Sequence, residues 1–166
     1  LIAGAKIFDS LYGLNVAVAD IDGDWVDEII VATGSDPEVA PRVKVLAVEG
    51  TTIVDTGVEF EPFPKERSCS FYCPQIKAGA TVAAGDIDGD GTAEIITGAG
   101  PYYGNPSRIT VHQIDTSGGP GQWKVRAKVG DFTVNFTGGG MAGRGKSGVN
   151  VAAGDVDGDG MAEIIA

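Results

Sequence analysis

Three short loops hold the residues best suited to do chemistry in this 166-residue chain. In one of them, carboxylates occupy positions 1, 3, 5 and 9 of the sequence Asp86-Ile87-Asp88-Gly89-Asp90-Gly91-Thr92-Ala93-Glu94. Carboxylates packed this closely repel one another unless a cation lies between them. Oxygen donors without histidine or thiolate favour a hard cation, so this loop predicts a calcium site rather than a zinc or copper site.

The pattern occurs three times. Residues 16–30 read VAVADIDGDWVDEII, residues 82–96 read VAAGDIDGDGTAEII and residues 151–165 read VAAGDVDGDGMAEII. The second and third copies are identical at 13 of 15 positions, and the first and second at 10 of 15. Each copy predicts one site, with the four carboxylates and the backbone carbonyl at position 7 as ligands. The predicted ligands are Asp20, Asp22, Asp24, Val26 and Glu28 in the first loop, Asp86, Asp88, Asp90, Thr92 and Glu94 in the second, and Asp155, Asp157, Asp159, Met161 and Glu163 in the third.

Two alternatives compete with this interpretation. An EF-hand loop also begins Asp-x-Asp-x-Asp-Gly, but its closing glutamate is at position 12 and helices flank it. Here position 12 is Thr97 and the flanks are strand-like, so both features argue against an EF-hand. The other alternative is a set of solvated acidic turns without metal. Three copies with the same carboxylate positions favour metal binding.

The first loop departs from the pattern. Trp25 stands where the other loops have Gly91 and Gly160, and a positive φ angle there is costly for tryptophan. Asp27 adds a carboxylate that partly compensates. We expect the first site to be the weakest of the three.

The charge of the chain belongs to these loops. There are 12 basic and 23 acidic residues, a net charge of −11, and 13 of the acids lie in the three loops. An anionic chain repels phosphate backbones, which argues against a nucleic-acid partner. No apolar run approaches the roughly 20 residues of a membrane-spanning helix.

The elements that must position the loops are short strands. The first full repeat has four strand-like stretches, at 15–19, 28–33, 42–48 and 53–60, and turn residues separate them. The chain contains 26 glycines and 8 prolines, which argues against helical bundles. Four short strands in each repeat, at offsets of 66 and 69 residues, are typical of a propeller blade. We therefore predict an all-β fold, with propeller-type blades of four antiparallel strands and almost no helix.

The pattern VAAGDxDGDGxxEII, followed by a Gly-rich turn and an Arg-Val/Ile-x-Val strand, resembles the FG-GAP (VCBS-type) repeats of bacterial surface proteins. The calcium loop of the integrin α-subunit propeller is similar. The resemblance implies a β-propeller blade with calcium in the loop between its first two strands. It also implies metal ligation by Asp86, Asp88, Asp90 and Glu94 and by their counterparts in the other copies.

The repeats divide the chain into blades that do not complete a ring. We predict the last strand of a preceding blade at residues 1–14, whole blades at 15–80 and 81–148, and the first two strands of a further blade at 149–166. A ring needs about four blades. Two explanations remain open: the chain is part of a longer protein, or its open strand edges pair with other copies of itself.

The leading functional hypothesis is a non-enzymatic, calcium-stabilised module outside the cell or on its surface, for adhesion, binding or surface structure. Its expected partners are other copies or the rest of a longer chain, and a protein or glycan ligand. The alternative is a subunit of a self-assembling extracellular filament or ring. A third hypothesis is the propeller part of an enzyme, for which His112, the only histidine, is the candidate base. We expect His112 to be a surface or hydrogen-bonded strand residue instead.

Cys69 and Cys73 lie four residues apart. This spacing permits a local disulfide, which fits an oxidising compartment, and two free buried thiols are the alternative.

Overall fold

The computed structural model describes residues 7–9, 11–64, 76–102, 105–134 and 148–166. These residues form ten strands and no helix, which confirms the all-β prediction. The strands are β1 (Leu14–Ala19), β2 (Glu28–Thr33), β3 (Val43–Glu49), β4 (Thr52–Phe60), β5 (Ala80–Gly85), β6 (Glu94–Ala99), β7 (Arg108–Asp115), β8 (Lys124–Thr133), β9 (Ala152–Gly154) and β10 (Glu163–Ile165).

The strands form three antiparallel sheets, each from strands that follow one another in the chain. β1 to β4 form the first sheet, β5 to β8 the second, and β9 and β10 the third. None of them closes into a barrel, and the arrangement is that of an incomplete propeller. The four strands predicted for the first repeat are present, with ends that differ by one residue at most. The described part of the chain has no helix long and apolar enough to cross a membrane.

The core lies between the sheets. Ile30 and Val45 of the first sheet and Ile95 of the second belong to one buried cluster, in which all three are fully buried. A second cluster, which includes Ile109 and Val149, joins the second sheet to the segment that begins the third repeat. Small residues in β1 and β5 let the sheets approach closely, so each repeat buries its apolar face against the next.

Equivalent hydrogen bonds join each repeat to the next. The side-chain amide of Asn15 in β1 donates to the carbonyl of Ala80, with 2.8 Å between the two atoms. Thr81, at the corresponding position of the next repeat, donates its hydroxyl to the carbonyl of Val149 over 2.6 Å. The sequence repeat therefore corresponds to a repeated packing relation between neighbouring sheets.

One face of the first sheet has no sheet packed against it in the described structure. Leu14, Val16 and Val18 of β1 are 43%, 57% and 56% exposed. The counterparts of Leu14 and Val16 in the second sheet, Ala80 and Val82, are 1% and 9% exposed because the first sheet covers them. Along β1, the outer face of the first sheet thus exposes a row of apolar side chains, whereas the equivalent row in the second sheet is buried.

The predicted blade boundaries at residues 14, 80 and 148 stay a prediction, although the three sheets fall in successive repeats. Cys69 and Cys73 lie outside the described residues, and so does the predicted choice between a disulfide and free thiols.

Candidate metal centres

The three acidic loops occupy equivalent places, since each joins the first two strands of its sheet. They connect β1 to β2, β5 to β6 and β9 to β10. The glutamate at position 9 is the first residue of the second strand in each case. Strand pairing fixes the backbone of this glutamate, and its side chain is turned inward. Glu28 and Glu94 are buried, and Glu163 is half-buried.

The aspartate at position 1 organises the backbone of its loop. In the second loop, Asp86 Oδ1 accepts the amide of Gly89 over 2.7 Å, and its Oδ2 accepts that of Gly91 over 2.8 Å. Asp20 and Asp155 accept the amides at the same two positions of their loops. These hydrogen bonds fold each loop back over the carboxylate at position 1 and bring the other carboxylates of the loop closer to it.

The remaining acidic side chains also accept amides from within their own loop. Asp88 Oδ1 accepts the amide of Asp90 over 3.3 Å, and Asp90 Oδ1 accepts that of Thr92 over 2.9 Å. Glu94 Oε2 accepts the amide of Ile87 over 3.0 Å and so ties the end of the loop to its beginning. The position-7 residues Val26 and Met161 donate their amides as Thr92 does.

These bonds bring three carboxylates of each loop together. Their oxygens lie within 4.8 Å of one another in the groups Asp20, Asp22 and Glu28; Asp86, Asp88 and Asp90; and Asp155, Asp157 and Glu163. The fourth predicted carboxylate of each loop is not in its group; these are Asp24, Glu94 and Asp159. Metal ligation by all of these residues, and by the position-7 carbonyls, remains a prediction.

Burial and the repulsion between carboxylates oppose ionisation of several acidic side chains in the loops. Burial, reinforced by the charge of Asp22, raises the pKa of Glu28 to about 7. Burial also raises the pKa of Glu94, and burial with the nearby Asp24 raises that of Asp22. A cation between such oxygens offsets both the loss of water and the mutual repulsion. The donor atoms are all oxygen, so the residues present fit a hard divalent ion.

Trp25 has the strained backbone that its place in the first loop predicts. Its φ angle is +70°, close to the +88° of Gly91 and the +93° of Gly160 at the same loop position. The side chain is 94% exposed, so little packing compensates for the strain. A left-handed conformation costs a residue with a Cβ atom about 1–2 kcal/mol.

Replacing Trp25 with glycine is therefore expected to stabilise the protein by about 1 kcal/mol, after allowance for the greater freedom of glycine in the unfolded chain. Chemical denaturation measures the change. Trp25→Ala is the matched control, because alanine also lacks the indole but keeps the Cβ atom and hence the strain. Equal stabilities of the glycine and alanine variants would contradict the assignment of strain to this residue.

Neighbouring loops are joined to one another. The amide of Ala93, at position 8 of the second loop, donates to the carbonyl of Asp20 over 2.9 Å. Ala162, at position 8 of the third loop, donates in the same way to the carbonyl of Asp86. The three loops thus form a row along one end of the stacked sheets. The sequence did not predict this connection, because it depends on how the repeats stack.

His112 is placed differently from the expectation of a surface or hydrogen-bonded residue. It lies in β7 as predicted, but it is buried, and among the described residues its Nδ1 has no hydrogen-bond partner. The ring packs against Phe60 of the first sheet with 4.7 Å between the ring centroids. Burial, with a contribution from Lys128, lowers the pKa of His112 to about 4. The neutral ring therefore serves the packing between two sheets.

Residues 78–112 match the family model of the FG-GAP repeat. The matched segment contains the second acidic loop, the strands β5 and β6, and most of β7. The predicted resemblance to the FG-GAP repeat is confirmed for this segment, and the VCBS-type, bacterial-surface assignment stays a prediction. No curated protein matches the chain.

Proposed function

We propose that the chain is a calcium-stabilised extracellular repeat module without catalytic activity, because residues 78–112 match the family model of the FG-GAP repeat. Its role would be adhesion, binding or surface structure. One observation carries the proposal: three equivalent loops each gather three carboxylates within 4.8 Å. The shared backbone hydrogen bonds of the loops support it, since they prepare the same arrangement three times.

Calcium would be held by the carboxylates at positions 1, 3, 5 and 9 and by the backbone carbonyl at position 7. The ion would supply positive charge where burial and repulsion now oppose ionisation, as at Glu28. The residues of the chain fix the loop: the aspartate at position 1 binds the backbone, and the glutamate at position 9 anchors the loop to the strand that follows. The function is thus structural stabilisation, linked to calcium concentration.

A calorimetric titration tests this proposal. We expect uptake of about three calcium ions per chain, with dissociation constants of roughly 10⁻⁴–10⁻³ M, typical of extracellular modules. Magnesium should bind more weakly, because it requires a tighter octahedral shell than a loop of spaced carboxylates provides. Absence of calcium uptake at millimolar concentration would overturn the proposal.

We further propose that the outer face of the first sheet, with Leu14, Val16 and Val18, is a site of contact with another blade. Support comes from the second sheet, whose equivalent face is covered by the first. The covering blade belongs either to a longer chain or to another copy, which would give a ring or filament. Light scattering in millimolar calcium distinguishes these: a 17.0 kDa species favours the former, and a larger assembly favours the latter.

A further inference from the structure

The second acidic loop has a polar contact that comes from outside the loop. Gln113 lies in β7, and its side-chain amide donates to Asp88 Oδ2 over 2.8 Å and to Glu94 Oε1 over 3.3 Å. The strand register explains this reach. Ile95 of β6 pairs with His112 of β7, so the next step along the ladder sets Glu94 opposite Gln113.

Gln113 adds a hydrogen bond to each of two acidic side chains that also accept an amide from their own loop. Asp88 Oδ1 accepts an amide from within the loop, and its Oδ2 accepts Gln113. Glu94 is held at both oxygens, by the amide of Ile87 and by Gln113. Each carboxylate oxygen has more than one lone pair, so these bonds leave acceptor capacity for a cation.

Among the described residues, none makes the equivalent contact with the first loop. In the first sheet Ile29 pairs with Leu46, which sets Ala47 opposite Glu28 by the same register. Alanine has no hydrogen-bonding side chain, and Glu28 accepts the amide of Ile21 alone among the described residues. The chain thus contains two equivalent loops that differ in the presence of one cross-strand donor.

We propose that Gln113 is a positioning residue for the cation of the second loop, and that it makes this loop a tighter calcium site than it would otherwise be. The inference rests on the proposed calcium function. Outer hydrogen bonds that orient ligating carboxylates typically contribute 10–100-fold to metal affinity. Binding of the cation also costs less conformational entropy, because Gln113 already holds the side chains of Asp88 and Glu94 in place.

The test is a calcium titration of the Gln113→Ala variant followed by NMR. The amides of Gly23, Gly89 and Gly158 donate to the first aspartate of the three loops, so each reports on its own site. We expect the calcium concentration at the midpoint of the Gly89 response to rise about 10-fold. The midpoints for Gly23 and Gly158 should stay within about twofold of the wild-type values. Gln113→Met keeps the length of the side chain without its donor and should behave like the alanine variant.

Gln122→Ala is the matched control, since Gln122 is exposed in the segment just before β8 and lies outside the three acidic loops. It should leave all three midpoints unchanged. An unchanged Gly89 midpoint in the Gln113 variants, or an equal rise for all three glycines, would overturn the inference. If no glycine amide responds to calcium even in the wild type, the proposed function itself fails, and that outcome is distinct from the others.

Discussion

Excess chelator is expected to lower the melting temperature of this protein by about 8–16 °C relative to about 10 mM calcium. A site with a dissociation constant of about 10⁻³ M contributes roughly 1.4 kcal/mol at tenfold excess of calcium. Three such sites contribute roughly 4 kcal/mol, a large share of the 5–15 kcal/mol that stabilises a typical domain. Differential scanning calorimetry gives the shift directly.

The control for the chelation experiment is the addition of magnesium to the calcium-free protein. Magnesium screens the acidic loops to the same extent as calcium, but it fits them less well, so it should restore only a small part of the melting temperature. An unchanged melting temperature in excess chelator would show that the loops need no cation for stability. That result would contradict the role proposed for calcium.

Asp86→Ala is expected to lower the free energy of unfolding by about 3 kcal/mol in calcium and by about half of that in chelator. Asp86 accepts the amides of Gly89, Asp90 and Gly91, and loss of such a capping carboxylate costs about 0.5–2 kcal/mol. The remainder is the lost contribution of one calcium site, roughly 1.4 kcal/mol. Denaturation curves measured in calcium and in chelator separate the two contributions.

Asp115→Ala is the matched control for Asp86. Asp115 accepts the amide of Ser117 in a turn outside the three loops, so its replacement should cost the same with and without calcium. The charge-neutral variant Asp86→Asn should also lose calcium-dependent stability while it keeps part of the hydrogen bonding. An equal cost of Asp86→Ala in calcium and in chelator would remove Asp86 from the proposed ligands.

Much of the fold follows from the sequence because the information is local and repeated. Strands β2 and β6 both begin at the same glutamate of the repeat, continue with Ile-Ile and follow an Asp- and Gly-rich loop. The strain at Trp25 could be predicted in the same way, since equivalent loops adopt equivalent backbone conformations and the other two have glycine there.

The residues that sequence analysis missed depend on contacts between strands or repeats. Gln113 lies 19 residues from Glu94 and outside the acidic motif, and the only available signal was the register of β6 and β7. The bond from Ala93 to Asp20 likewise requires knowledge of how two repeats stack. His112 was expected to be a surface or hydrogen-bonded strand residue, whereas it is buried and its ring packs against Phe60 of the first sheet.

The central claim is that each of the three acidic loops holds one calcium ion. A crystal structure of the protein grown in millimolar calcium, with anomalous scattering recorded at long wavelength, tests it most directly. We expect one anomalous peak in each loop, among the oxygens of Asp20, Asp86 and Asp155 and of the other predicted ligands that follow each of them. Loops without an anomalous peak in that crystal would contradict the claim.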